Sequence, residues 1–218
     1  MTDVRAMAGE HIEEWLDALA SGTSEPGAGA FAALSAAAGA ALVTSVAQQT
    51  LRRLSADDAE VPRLAQIADE SDAARPALLG AGDRDADVQH ELALAARLPH
   101  GSEEQRTARL VTLQSVLEDA VDVQLELARR AVLLAGLAEE ATGVADPNVA
   151  ADGLAAVAAL HAAAVAALAN VELNAFAIAD PERREELTAT CDALGERAGR
   201  MLEDAHEAFE GRVHPASS

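Results

Sequence analysis

Apolar positions recur along the chain at spacings of three and four, the pattern of helices with one buried face. Ile12, Trp15, Leu16 and Leu19 fall on one stripe of a first helix expected over Ala6 to Ala20, which Ser21-Gly22 ends. A second, from about Pro26 to Leu54, carries no charge before Arg52 and repeats small residues at Gly29, Ala33, Ala37, Ala40 and Ala41. With no polar face it must lie inside, with neighbouring helices close to its backbone. Asp57-Asp58 and Val61-Pro62 mark a loop and a third helix, which Pro76 should kink or shorten and Gly80-Ala81-Gly82 should end.

A fourth helix is predicted to start at Asp83-Arg84-Asp85-Ala86-Asp87, to present Val88, Leu92 and Ala95, and to stop at Leu98-Pro99-His100-Gly101. Ser102 with Gln105 three residues on predicts a capping box. It opens a long fifth helix to about Thr142, with Leu110, Leu113, Leu117, Val121, Leu125 and Ala128 in register. Asp146-Pro147-Asn148 separates this from a sixth helix over Val149 to Ile178. Asp180-Pro181 precedes a seventh, carrying Leu187, Leu194, Ala198, Met201, Leu202 and Ala205. With neither repeat nor linker, residues 1–218 read as one all-α domain, a bundle of about six to seven helices around Ala-rich buried ones.

Composition narrows the partners. The formal net charge of −21 argues against nucleic acid and anionic membrane surfaces, and Arg52-Arg53 is too small to be a basic patch. Met1 to Glu14 is acidic and lacks the apolar run of a secretion signal, so a cytoplasmic protein is expected. The lone Cys191 excludes an intramolecular disulfide framework and reads as a buried structural thiol. Ala28 to Ala47 and Gly153 to Val171 are long and apolar, but mostly alanine, with no aromatic belts and no Lys/Arg asymmetry between their flanks, which favours central helices of a soluble bundle.

Candidate chemistry gathers at helix starts. Gly22-Thr23-Ser24-Glu25-Pro26-Gly27-Ala28-Gly29-Ala30 opens onto the second helix, where free N–H groups and the helix dipole can receive a polar ligand; packing of small residues is the plainer account. Asp83 and Asp85 lie too close together for both to be N-caps, so one is free to act as base, acid or counter-charge. Asp146, Asn148 and Asp152 form a further polar cluster. Asn170 and Asn174 share a face of an otherwise apolar helix and need partners, on a facing helix or on a polar heterocycle. His161, alone among alanines, suits the core or an interface better than a metal, and no metal or redox cofactor is implied.

In order and spacing these pieces resemble the cyclodeaminase/cyclohydrolase family: the helical C-terminal domain of formiminotransferase-cyclodeaminase and the related methenyltetrahydrofolate cyclohydrolases. The resemblance runs from about Ile12 to Ile178. It is carried by Trp15-Leu16-Asp17-Ala18-Leu19, Pro26-Gly27-Ala28-Gly29-Ala30, Asp83-Arg84-Asp85-Ala86, Ala95-Ala96-Arg97-Leu98-Pro99, Leu113-Gln114, Pro147-Asn148 with Asp152, and Asn170-Val171-Glu172-Leu173-Asn174.

It implies a helical homodimer or higher oligomer acting on a reduced folate that carries a one-carbon unit, the folate being substrate rather than cofactor. Asp85 first and Asp83 second would take the carboxylate role. Pro26, Gly27, Gly29 and Ala30 would supply backbone contacts, Asn170, Asn174 and Asp152 would bind the pterin or the partner chain, and Arg52 and Arg53 would meet the anionic tail. Several positions depart from the family pattern: Ala28 for glycine, Ala30 and Ala151 for serine, Leu54 for an aromatic, Gln124 for proline and Glu172 for arginine. Two alternatives therefore stand: the same pocket turned to a non-folate nitrogen metabolite, or a helical binding module without catalysis.

Overall fold

The computed structural model describes residues 11–22, 26–145 and 147–213. They form six α-helices, α1 (Ile12–Ala20), α2 (Ala28–Leu51), α3 (Val61–Ala96), α4 (Glu103–Val144), α5 (Ala150–Ala175) and α6 (Pro181–Val213), with a 3-10 turn at Pro147–Val149 before α5. No strand occurs among the described residues. The expected extension of the first helix back to Ala6, and Thr23, Ser24, Glu25 and Asp146, lie outside them.

One expected break is absent. The third and fourth predicted helices are the single helix α3, which runs through Gly80-Ala81-Gly82 and places Asp83, Asp85 and Asp87 in mid-helix, where none is a cap. Each glycine costs a helix about 1 kcal/mol relative to alanine. Here Leu78, Ala81, Gly82 and Asp85 are all buried, and their packing outweighs that cost. Pro76 lies on the exposed face, so the carbonyl it leaves unpaired one turn earlier can bond to water. The predicted start of α4 is present as read: Ser102 Oγ accepts from Gln105 N at 3.2 Å, and Gln105 Oε1 accepts from Ser102 N at 3.2 Å.

The long helices pack mainly antiparallel to their neighbours. Arg63 meets Glu140 where α3 begins and α4 ends, and Asp85 meets Gln124 further along, toward the connection where Arg109 Nη2 donates to Ala96 O at 3.1 Å. α2 runs against α5 at close range, since a Cβ on Gly39 would lie 2.6 Å from Leu160 Cγ. Further along α2, Gln49 faces Asp152 at the start of α5. Gly153 in turn packs against the Thr142 side chain near the end of α4. At the other end of α5, Gln114 of α4 donates to Ala177 O and accepts from Ala179 N, at 3.0 and 2.6 Å. α6 lies along α4, with Arg183 near Glu118 and Gly136 near Met201.

The core is built of small side chains: Ala32, Ala33, Ala36, Ala40, Ala163, Ala164 and Ala167 are fully buried alongside Leu64, Ile67, Leu134 and Leu160. α2 and α5 are each long and apolar enough to cross a membrane, yet 61% and 44% of their most apolar windows are already buried in the bundle. The stripe expected on α1 is not buried as a whole: Trp15 is inside, while Ile12 is 72% and Leu16 50% exposed. Cys191 is buried, and burial, aided by Glu172 and Asp192, pushes its thiol up to about 11, so it stays protonated and unreactive at neutral pH.

Candidate active site

The site is built where the first turn of α2 meets α3 and α4. Gly27 is the N-cap of α2, with extended backbone (φ −126°, ψ −157°) that any residue adopts, and it brings no side chain to cap the end. The glycine that matters is Gly29. A Cβ there would overlap both the Asp85 carboxylate and the Gln124 amide, so the absence of a side chain is what lets α3 and α4 bring that pair against the helix. Gly29, expected from the sequence to offer its backbone to a ligand, is also the space that the pair fills.

Asp85 is 8% exposed and Gln124 not exposed at all. Gln124 Nε2 donates to Asp85 Oδ1 at 2.7 Å. The Gln89 amide, one turn along α3, also favours the charged form, less than Gln124 does. Burial raises the Asp85 pKa above the usual 3.8, and these two amides hold back only part of that rise. The result is a carboxylate with more than ordinary proton affinity, fixed in orientation, beside a helix start whose N–H groups lack intrahelical partners. Gln124 Oε1 is buried and has no hydrogen-bond partner among the described residues.

The other sequence candidates divide by position. Pro26 and Gly27 are half-buried and Ala30 is buried, all at this same end of α2. Asp83 is half-buried on α3. Asn170 and Asn174 are half-buried near the end of α5, which the Gln114 contacts place at the Gln124 end of the bundle. The Asn170 amide is turned onto its own helix, donating to Ala166 O at 3.0 Å rather than to a facing element.

Asp152, Arg52 and Arg53 lie elsewhere. Asp152 accepts from Gln49 Nε2 at 3.4 Å, and the exposed arginines follow the last residue of α2. A helix of 24 residues is about 36 Å long, so these groups do not join Asp85 within one chain. The one functional candidate not singled out from sequence is Gln124, an amide on the face of α4 that otherwise buries Leu117, Ala120, Val121, Leu125 and Ala128. A polar residue in that register was the available signal.

This is an all-helical bundle in which Asp85 is the one buried carboxylate among the described residues. The sequence profile of the formiminotransferase-cyclodeaminase family matches residues 11–193, and the chain belongs to that family. The methenyltetrahydrofolate cyclohydrolase of Methylorubrum extorquens is 33% identical over 209 residues, covering 95% of this chain and all of that protein. The crystal structure of formiminotetrahydrofolate cyclodeaminase from Thermotoga maritima superposes with a TM-score of 0.82 over 94% of this chain and 98% of that one. At 23% identity, that likeness establishes the fold.

Proposed function

We propose that this chain is a cytoplasmic enzyme that hydrolyses a methenyl-bridged tetrahydrofolate. The observation that carries the reading is the buried Asp85–Gln124 pair at the N-terminus of α2, in a chain one third identical to a named cyclohydrolase. The substrate's reactive carbon bridges N5 and N10 as an amidinium cation. A carboxylate beside it balances the charge, and raised proton affinity suits it to take a proton from the attacking water. The new C–O bond gives a tetrahedral carbon; Asp85 then returns that proton to the departing ring nitrogen as the C–N bond breaks. The hydroxyl loses its own proton to water as the formyl C=O forms.

The family's other reaction, ring closure of a formimino group with release of ammonia, needs the same carboxylate to move a proton onto the leaving nitrogen. Sequence identity favours hydrolysis, because the cyclohydrolase of Methylorubrum extorquens is 33% identical and the cyclodeaminase of Thermotoga maritima 23%. Loss of methenyltetrahydrofolate absorbance on adding purified protein tests the reading. A rate at least 100-fold above buffer is expected. A rate equal to buffer, from folded protein, sinks it and leaves the non-folate and non-catalytic alternatives.

The same reading includes a homodimer. α5 leaves Ala155, Ala158, Val165, Ala169 and Leu173 exposed at near-heptad spacing, a narrow apolar seam against which a like helix can pack closely. Phe176, just beyond it, is 88% exposed. A second copy is also the means by which Arg52, Arg53 and Asp152, remote from Asp85 in one chain, would reach a bound folate. Light scattering after gel filtration should give twice the chain mass for the wild type and the monomer mass for Val165→Glu. A monomeric wild type at micromolar concentration contradicts this part.

A further inference from the structure

We infer that Gln124 is the positioning residue for the reacting carboxylate: its buried amide grips Asp85 Oδ1 and so fixes the orientation in which Oδ2 faces the first turn of α2 at Gly29. The inference rests on the folate reading above and goes beyond it by naming a residue that the family pattern, with proline at this place, does not supply.

Three observations carry it. Gln124 is fully buried on a helix face that is otherwise Leu, Val and Ala, where a leucine or methionine would fill the space without desolvating an amide. Only half of that amide is satisfied: Nε2 donates to Asp85 at 2.7 Å, while Oε1 has no partner among the described residues. A glutamine kept for stability alone would be expected to pair at both ends, since an unsatisfied buried acceptor destabilises the fold. And Gly29 has no side chain where Nε2 and the carboxylate meet, so α2 as well as α4 is shaped around this one hydrogen bond.

The contact has a definite consequence. A neutral donor on Oδ1 stabilises the ionised form, opposing the burial that favours the acid. Among the described residues, burial, which raises the proton affinity of Asp85, and then the Gln124 and Gln89 amides, which lower it, are its causes. Removing the Gln124 amide leaves burial opposed only by Gln89.

Gln124→Met, close in volume, is therefore expected to fold, to lower kcat 10- to 100-fold with KM within about threefold, and to move the acidic limb of the kcat/KM profile upward by about one pH unit or more. Gln124→Glu serves as the second variant. It keeps an oxygen pair in the same space, shares a proton with Asp85 and should move the limb further in the same direction.

Carbon-13 NMR titration of the Asp85 carboxyl in the ligand-free protein, assigned by its absence in Asp85→Asn, reads the same coupling without turnover. An upward shift of that titration in both variants, with the kcat loss, supports the inference. An unmoved titration, or wild-type kcat in Gln124→Met, overturns it. A wild type inactive on methenyltetrahydrofolate overturns the folate reading instead, and the NMR titration then still decides whether Gln124 governs Asp85.

Discussion

Asp85→Asn is expected to lose activity on the folate by about 10²- to 10⁴-fold while becoming more stable at neutral pH. Both halves follow from one geometry. The carboxylate is 8% exposed and its pKa is raised by burial, so ionised Asp85 opposes folding. The folded state holds this proton more tightly than the unfolded chain. The cost is therefore present above the raised pKa, shrinks as pH falls through it, and is gone below the unfolded value near 3.8. Asparagine removes the charge, and its Oδ1 can still accept from Gln124 Nε2.

A gain of about 1 kcal/mol, or roughly 2–4 °C in Tm for a chain of this size, is expected at pH 7 and should vanish at acid pH. Differential scanning calorimetry at several pH values, beside the absorbance assay, checks both. Asp83→Asn, on a half-buried neighbour outside the Gln124 contact, should retain activity within about tenfold. Equal losses at the two aspartates would contradict the assignment of the base to Asp85.

Gly29→Ala is the second large effect. In an ordinary helix the change adds up to about 1 kcal/mol of stability. Here the new methyl group would overlap the Asp85 carboxylate and the Gln124 amide, so either α2 moves away or the pair is pushed apart. Destabilisation of about 1–3 kcal/mol is expected, with kcat/KM falling by about 100-fold. Gly199→Ala is the control: it is also helical, a Cβ there meets nothing within 4 Å, and a small gain in stability with unchanged activity is expected. Urea unfolding and the same assay measure both variants. A Gly29→Ala protein as active as wild type would show that the contact between α2 and the pair is dispensable.

Much of the architecture was legible because alanine-rich helices with sharp ends announce themselves. The Ser102–Gln105 box, the alanine core of α2 and the Asp180-Pro181 break are local signals that tertiary packing did not override. The missed features share a cause, since each depends on what lies beside the chain. Gly80, Gly82 and Pro76 are breakers in isolation and are tolerated in α3 because one face is held by the core and the other by water. Ile12 and Leu16 fit an apolar stripe, but no described element covers them.

At the site, the aspartate pair stood out as motif, and burial then separated Asp85 from Asp83. Gln124 was visible only as a departure from a pattern; its role needs the crossing of α3 and α4 that sequence order does not give. The remoteness of Arg52, Arg53 and Asp152 from Asp85 was implicit in the length of α2, since a helix uninterrupted from Gly29 to Leu51 puts its ends tens of ångströms apart.

A buried Asp85 carboxylate that accepts the proton in folate turnover must titrate where the reaction does. The most direct measurement sets the pH dependence of kcat/KM for methenyltetrahydrofolate hydrolysis against the carbon-13 titration of Asp85 in the same wild-type protein. One midpoint is expected for both, above the ordinary carboxylate value of 3.8, with the acidic limb lost in Asp85→Asn. An Asp85 that titrates at the ordinary value, or a kinetic limb that keeps its position without Asp85, would contradict it.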